Sequence, residues 1–317
     1  MLFRSWDYVG GVQDVRDRVL RLIGDPEQRY REDPVRLLRA VRFAGKLGFD
    51  IHPQTQAPMR ELAPLLASVP PARLFDETLK LFLAGHARNT LQVLEAHGLL
   101  EPLLPGLHRA LHGDGSGRWR KFVDAGLAGG DARIAEDRPV TPTFLFATLL
   151  YPAIDALAQQ RHPGLAHTSS AFGQALGEAC DEIVAAQVKR IAIPKRFTLP
   201  LRELLVMQPK FERRDGRRML ALLNHPRFRA AYDLFQLRAE AGLADAELAK
   251  FWTEVQSAEQ EQRQTMAEAL GTTPASGRTE SAAVETGGEA AGDESRAPAR
   301  RRRRRRRPRG SGSPVDG

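Results

Sequence analysis

The chain has 317 residues, 42% hydrophobic and 27% charged, with a net charge of +8 from 47 basic and 39 acidic side chains. That length permits about two domains with real cores. One cysteine, Cys180, excludes an internal disulfide and a cysteine-built zinc site, and suits a reducing cytoplasm with the thiol buried and inert. The eight histidines lack metal-ligand spacing, no signal peptide is visible, and the longest apolar run, residues 144–158, is too short to span a bilayer. The whole surplus of charge lies at one end, where Arg300, Arg301, Arg302, Arg303, Arg304, Arg305, Arg306, Arg307 and Arg309 face only Asp316.

In chain order, residues 19–23 (Val-Leu-Arg-Leu-Ile) are predicted to form one strand, ended by the turn Gly24-Asp25-Pro26. A lone strand cannot bury itself, so this stretch is expected to be unpaired and poorly packed. A short helix starts at Pro26 behind Asp25, and a longer one runs from Pro34 to about Leu47. On the longer helix Arg36, Arg39 and Arg42 fall along one flank, while Leu37, Leu38, Val41 and Ala44 take the packing side. Asp33 and Arg36 are three apart and can point the same way. A carboxylate acceptor beside a guanidinium donor matches the adenine edge, which offers an amino donor next to a ring-nitrogen acceptor. The pair Asp33-Pro34 is also an ordinary helix start, with Asp33 as N-cap and Pro34 at the first helical position.

Ser68-Val69-Pro70-Pro71 introduces a helix whose stripe is Leu74, Thr78, Leu81 and Phe82, with Gly85 as its end; Arg73 and Lys80 are expected at the surface, the alternative being that they face a nucleotide or primer end. Residues 89–97 form another, stopped by Gly98. Further helices are predicted at 143–150, before a break at Pro152, and at 171–192, 202–207, 216–223, 228–241 and 244–263. Almost nothing else alternates with period two, so the fold class is all-α. Lys210, Arg213, Arg214, Arg217 and Arg218 form a dense basic cluster with Phe211 inside it. Such a cluster suits a single-stranded backbone track, with cations on phosphates and a ring for stacking; a solvated helical face fits the composition equally well. Lys195 and Arg196 make a smaller basic pair, and Tyr232, Phe235 and Leu237 read as core. From about Leu270 the apolar residues vanish, so the end of the chain is expected to be disordered. A flexible arginine run binds RNA phosphates without sequence choice, and other polyanions equally.

The run DYVGGVQDVRDRVLRLIGDPEQRYREDPVRLLRAVRFAGKLGF, residues 7–49, resembles the end of the head and the neck of the class II nucleotidyltransferases. That superfamily holds the bacterial poly(A) polymerases and the CCA-adding tRNA nucleotidyltransferases. Its EDxxR element, which reads the incoming base, falls on Glu32, Asp33 and Arg36; its GGxxDL-like element falls on Gly10, Gly11 and Asp14, with Val15 in place of Leu. PTFLFATLLYPAI (142–154), AIPKRFT (192–198) and QPKFERRDGRRMLALLNHPRFRAAYDLFQLRAE (208–240) resemble the poly(A) polymerases in particular. The resemblance covers residues 7–260, and the tail is alike in composition only.

The resemblance implies a remnant of the head sheet at 1–24, a nucleotide- and RNA-binding helical neck at 25–99, a helical body at 100–263, and a disordered linker with an arginine-rich tail at 264–317. It implies nucleotide binding by Glu32, Asp33, Arg36 and Arg39, with ATP as substrate and Mg²⁺ in the intact family. It implies RNA contacts by Lys195, Arg196, Lys210, Arg213, Arg214, Arg217, Arg218 and the tail arginines, and addition of AMP to single-stranded RNA 3′ ends in the cytoplasm, linked to mRNA decay. RNA-degradation proteins are candidate partners of the tail, and no membrane partner is expected. The family's chemistry rests on metal ions held by an Asp-x-Asp pair. No Asp-x-Asp occurs in this sequence, and only residues 1–6 precede the resemblance. The sequence is therefore expected to be truncated, without a metal site, and inactive alone. Two other readings stand beside this one: a non-catalytic RNA-binding protein and, less favoured by the body motifs, the body of a CCA-adding enzyme.

Overall fold

The computed structural model describes residues 6–271; the tail arginines and the expected disorder beyond 271 lie outside the described residues. Helix α1 (Gly11–Arg16) starts where Gly10 turns through a φ of 78° and Asp7 folds back over the helix start. The Asp7 carboxylate accepts from the amides of Gly11 at 2.9 Å and Val12 at 2.8 Å. These bonds, that of Val12 foremost, hold its carboxyl below the ordinary pKa. No residue of α1 is buried, and Trp6, Tyr8, Val9, Val12 and Val15 are exposed. Strand β1 (Val19–Leu20) pairs in parallel with β2 (Asp50–Ile51), Val19 opposite Asp50 and Leu20 opposite Ile51. The strand expected over 19–23 is thus two residues long, and it is not unpaired. Its partner is too short to show a period of two.

Helix α2 (Pro26–Glu32) is capped as the sequence predicts: Asp25 accepts from the Gln28 amide at 2.7 Å. Helix α3 (Val35–Leu47) buries Leu37, Leu38, Val41 and Ala44 and ends on Gly48, left-handed at φ 63°. Asp33 stands extended between the two helices and caps α3 as the sequence suggests: its carbonyl accepts from the Arg36 amide at 3.0 Å and its Oδ1 from the Val35 amide at 3.3 Å, while Pro34 is already helical at φ −60°. Turns α4 (Pro53–Gln56) and α5 (Met59–Leu62) and a 3₁₀ turn over Ala63–Ser68 lead to α6 (Pro71–Phe82) and α7 (Ala87–Ala96). Helix α7 packs on α3 at Gly45, where a Cβ would stand 2.6 Å from Thr90 Oγ1 and 3.1 Å from Thr90 Cα. Only glycine lets the two backbones come so close.

The rest of the fold is α8 (Leu100–Leu103), α9 (Pro105–His112), α10 (Arg118–Ala135), α11 (Pro142–Arg161), α12 (Ser170–Arg190), α13 (Lys195–Phe211), α14 (Gly216–Leu223), α15 (Phe228–Glu240), α16 (Ala246–Ser257) and α17 (Gln260–Gly271). Helix α11 is the axis, buried along most of its length and packed by α9, α10, α12 and α13. It runs on through Pro152, where the sequence suggests a break, and α13 contains Pro200 and Pro209. Each proline removes one helical hydrogen bond; burial of the surrounding apolar side chains outweighs that loss. Helix α10 has no counterpart in the sequence reading, because Gly126, Gly129 and Gly130 lower its helix propensity and blur its stripe. The helix expected over 244–263 is two helices, and residues 264–271, expected to be disordered, belong to α17, which packs on α14.

One core runs from Tyr30 to Ala267. Burial raises the Tyr30 hydroxyl to about 12 and the Cys180 thiol to about 12, so the lone cysteine is inert as expected. Phe211 is part of this core, with ring centroids 5.2 Å from Phe235 and 5.0 Å from Trp252, and its carbonyl accepts from Trp252 Nε1 at 2.8 Å. It is therefore not a ring on which a base can stack. Tyr232 and Phe235 are buried as read, and Leu237 packs partly buried beside them.

Candidate nucleotide and RNA interface

The ends of α2 and α3 and the start of α6 bring the EDxxR residues together. Arg73, near the start of α6, donates from both Nη atoms to the two Asp33 oxygens at 2.9 and 2.8 Å. This is a bidentate clamp across forty residues of sequence. Arg36 donates through Nη1 to Glu32 at 2.9 Å and to the Arg29 carbonyl at 2.7 Å, and Arg29 holds the same Glu32 oxygen at 2.7 Å. Asp33 and Arg36 feel one another's charge, yet each is fixed by its own partner. Asp33 Oδ1 is filled, since it also accepts from the Val35 amide at 3.3 Å, but Oδ2 keeps a second lone pair and the Arg36 guanidinium has N–H donors beyond those of Nη1, so both groups can still meet a base edge.

Burial opposes the charge of Asp33, but the Arg73 hydrogen bond and charge outweigh it, and the carboxyl sits below its ordinary pKa. The Arg36 hydrogen bond does the same for exposed Glu32. Arg39 lies exposed over Phe43 at 5.8 Å. Arg42 stacks on the same ring at 4.8 Å and reaches buried Glu77 at 3.6 Å, which also accepts from Lys80 at 2.8 Å. Arg73, for which the sequence leaves both the surface and the nucleotide side open, is half exposed and holds Asp33. Nothing local marks that clamp.

Replacing Arg73 with alanine is expected to raise the Asp33 pKa toward the ~3.9 of a free aspartate. Because the folded-state pKa is depressed, the clamp contributes stability above the unfolded pKa and loses it as pH falls through the folded value. Acid unfolding of the two proteins should therefore differ above about pH 4 and converge below it. A difference that is the same at every pH would contradict this assignment.

In the body, α12, α13 and α14 enclose a groove of about 810 Å³, lined among others by Arg202, Lys210, Arg213, Arg218 and His225. Arg213 donates to the Thr168 carbonyl, and Arg202 is held by Asp181 at 2.8 Å. Arg214 and Arg217 do not face this groove. They line the cleft between α14 and α17, Arg214 lying 5.5 Å over the Phe251 ring. The dense cluster of the sequence is thus divided between two faces, and Arg202 joins the groove although the sequence did not single it out. Lys195 and Arg196 are exposed at the first turn of α13, about 22 Å from Lys210 at 1.5 Å per residue.

Asp14 of the GGxxD element pairs with Arg21 at 3.0 Å. Among the described residues no three His, Cys, Asp or Glu side chains gather to hold a metal ion. These residues do not fit the Mg²⁺ site that the resemblance implies, and no step is assigned to a metal here. Among the same residues no helix is long and apolar enough to cross a membrane.

Residues 48–111 match the family model described as "Probable RNA and SrmB- binding site of polymerase A", and residues 169–309 match "Polymerase A arginine-rich C-terminus". Poly(A) polymerase I of Escherichia coli O6:H1 is 44% identical over 259 residues, which are 80% of this chain and 54% of that protein. Poly(A) polymerase I of Salmonella typhimurium is 42% identical over 283 residues, 88% of this chain and 60% of that protein. The chain therefore spans little more than half the length of these relatives. The CCA-adding enzyme of Bacillus licheniformis is more distant, 40% identical over 104 residues, 33% of this chain and 26% of that protein. A solved structure described as "tRNA-processing enzyme (apo form I)" shares the fold with a TM-score of 0.53 at 18% identity, covering 84% of this chain and 66% of that one.

Proposed function

The chain belongs to the polymerase A family of class II nucleotidyltransferases, and from that premise we propose that its neck selects ATP while its body and tail hold a single-stranded RNA 3′ end. The reaction served is transfer of AMP to that end, as in a polynucleotide adenylyltransferase acting in mRNA processing. The observation that carries the reading is the double fixation of the base-reading pair, Asp33 by Arg73 and Arg36 by Glu32. A donor and an acceptor held on separate supports lose little freedom when a base arrives, which favours discrimination over mere affinity. The body groove with Lys210, Arg213 and Arg218 suits a phosphate backbone, and the tail arginines add contacts without sequence choice. The two-metal chemistry is assigned to none of the described residues. A cytoplasmic setting accords with the buried free thiol of Cys180.

The RNA part is tested by titrating a labelled oligo(A) at several salt concentrations with the full chain and with a deletion of residues 300–317. If the arginine run engages roughly four phosphates, the deletion should flatten the log–log salt slope by about 3, at ~0.7 per single-strand contact. It should leave preference among RNA sequences unchanged. An unaltered slope would remove the tail from the RNA interface.

A further inference from the structure

Helices α3 and α6 lie side by side and run the same way, since Arg73 meets Asp33 at one end and Glu77 meets Arg42 further along both. The groove between them, of about 440 Å³, leads away from the base-reading pair and shares no lining residue with the body groove. Its rim carries Arg42, Lys46 and Lys80, and its floor is apolar, from Phe43, Leu79 and Leu83. Arg42 and Lys46 lie about 9 and 15 Å beyond Arg36 along α3, at 1.5 Å per residue.

The rim is open to solvent and its charge is not spent. Lys46 is exposed and makes no ion pair or hydrogen bond among the described residues. The Lys80 side chain is 53% exposed. Arg39, one turn before Phe43, is exposed over that ring and is likewise without an ion pair. Arg42 and Lys80 share a single carboxylate, the buried Glu77, at 3.6 and 2.8 Å. No carboxylate lines the groove; the exposed Asp76 stands a turn before Lys80 on α6 and outside it. Four cations against these two carboxylates leave a positive surplus, which attracts phosphate. A compact triphosphate would leave the apolar floor bare. A nucleotide strand fits both parts, with phosphates on the rim and a base against the floor. Addition of AMP at an RNA 3′ end also requires that end to lie beside the ATP whose base Asp33 and Arg36 read, and the groove starts from that pair.

We propose, on the footing that the chain binds RNA 3′ ends, that the α3–α6 groove holds the last nucleotides of the strand, with Lys46 and Lys80 on phosphates and a base against Phe43, Leu79 and Leu83. The full chain is titrated with labelled oligo(A) at several salt concentrations. Lys46→Gln combined with Lys80→Gln should lower the log–log salt slope by about 1.4, at ~0.7 per single-strand contact, which is about 25-fold in affinity at 0.1 M relative to 1 M salt. Lys46→Gln alone, which breaks no bond of the fold, should lower the slope by about 0.7. Lys121→Gln, at an equally exposed and unpaired lysine of α10, should leave it unchanged. The double variant should bind ATP as the parent does, measured by calorimetry. An oligo(A) carrying 8-azidoadenosine at its 3′ end should cross-link to residues 42–46 or 79–84, and one carrying it at the 5′ end should not. The neck site is overturned, with the chain still an RNA binder, by an unchanged slope in the double variant, by an equal loss in Lys121→Gln, by a loss that falls on ATP instead, or by 3′ cross-links confined to the body. Absence of oligo(A) binding by the parent overturns both the neck site and the reading on which it rests.

Discussion

Replacing Lys210, Arg213 and Arg218 together with glutamine is expected to lower the affinity of the chain for single-stranded oligo(A) about a hundredfold at 0.1 M salt. Each single-strand phosphate contact adds about 0.7 to the salt slope, so relative to 1 M salt it is worth about fivefold at 0.1 M, and three contacts give about two decades. These three side chains line one groove between α12, α13 and α14. Arg214 and Arg217 are the built-in comparison, because they are neighbours in sequence but face the cleft beside α17. Their double glutamine variant should keep nearly the parent slope. Equal losses in both variants would mean that charge density alone, and not the groove, holds the RNA.

The second large effect concerns the base. Asp33→Ala and Arg36→Ala are each expected to erase most of the preference for ATP over other nucleotides. A complementary donor–acceptor pair is worth about 1–3 kcal/mol of discrimination, or roughly five- to 150-fold. The clamp by Arg73 sharpens this expectation: Arg73→Ala leaves both base-reading groups in place but frees Asp33, so it should cost part of the selectivity and little else. A pure capping role for Asp33, which does accept from the Val35 amide at the start of α3, would show the opposite, lowered stability with selectivity intact.

Where the local chemistry is strong, the sequence was enough. Asp25 before Pro26, the stripe of Leu37, Leu38, Val41 and Ala44, and Gly48 after Leu47 delimit α2 and α3 to within a residue or two. The candidates Glu32, Asp33 and Arg36 came from the same stretch, and the structure brings them together. What the sequence hid is tertiary. Strand β2 is two residues long and has no pattern of its own, so the pairing that rescues β1 was invisible. Helix α10 carries three glycines, one of which is needed where Thr148 packs: a Cβ on Gly126 would stand 2.6 Å from Thr148 Cγ2 and 3.2 Å from its Oγ1. Phe211 sits among basic residues in the chain but points into the aromatic core, because successive residues of a helix turn by roughly 100°, which parts it from Lys210, and the arginines follow only after α13 has ended. Arg73 reaches its site from another helix, and no spacing rule links it to Asp33; Arg202 shares α13 with Lys210, eight residues on and on the same face, but the helix expected over 202–207 is too short to join them.

The most direct test of the central claim is the relative affinity of the 317-residue chain for ATP and CTP, measured by calorimetry for the parent, Asp33→Ala and Arg36→Ala proteins. The expected result is a clear preference for ATP in the parent that falls toward parity in both variants while folding, followed by circular dichroism, is kept. Equal binding of ATP and CTP by the parent, or a preference that survives both substitutions, would contradict the assignment of Asp33 and Arg36 as the groups that read the base.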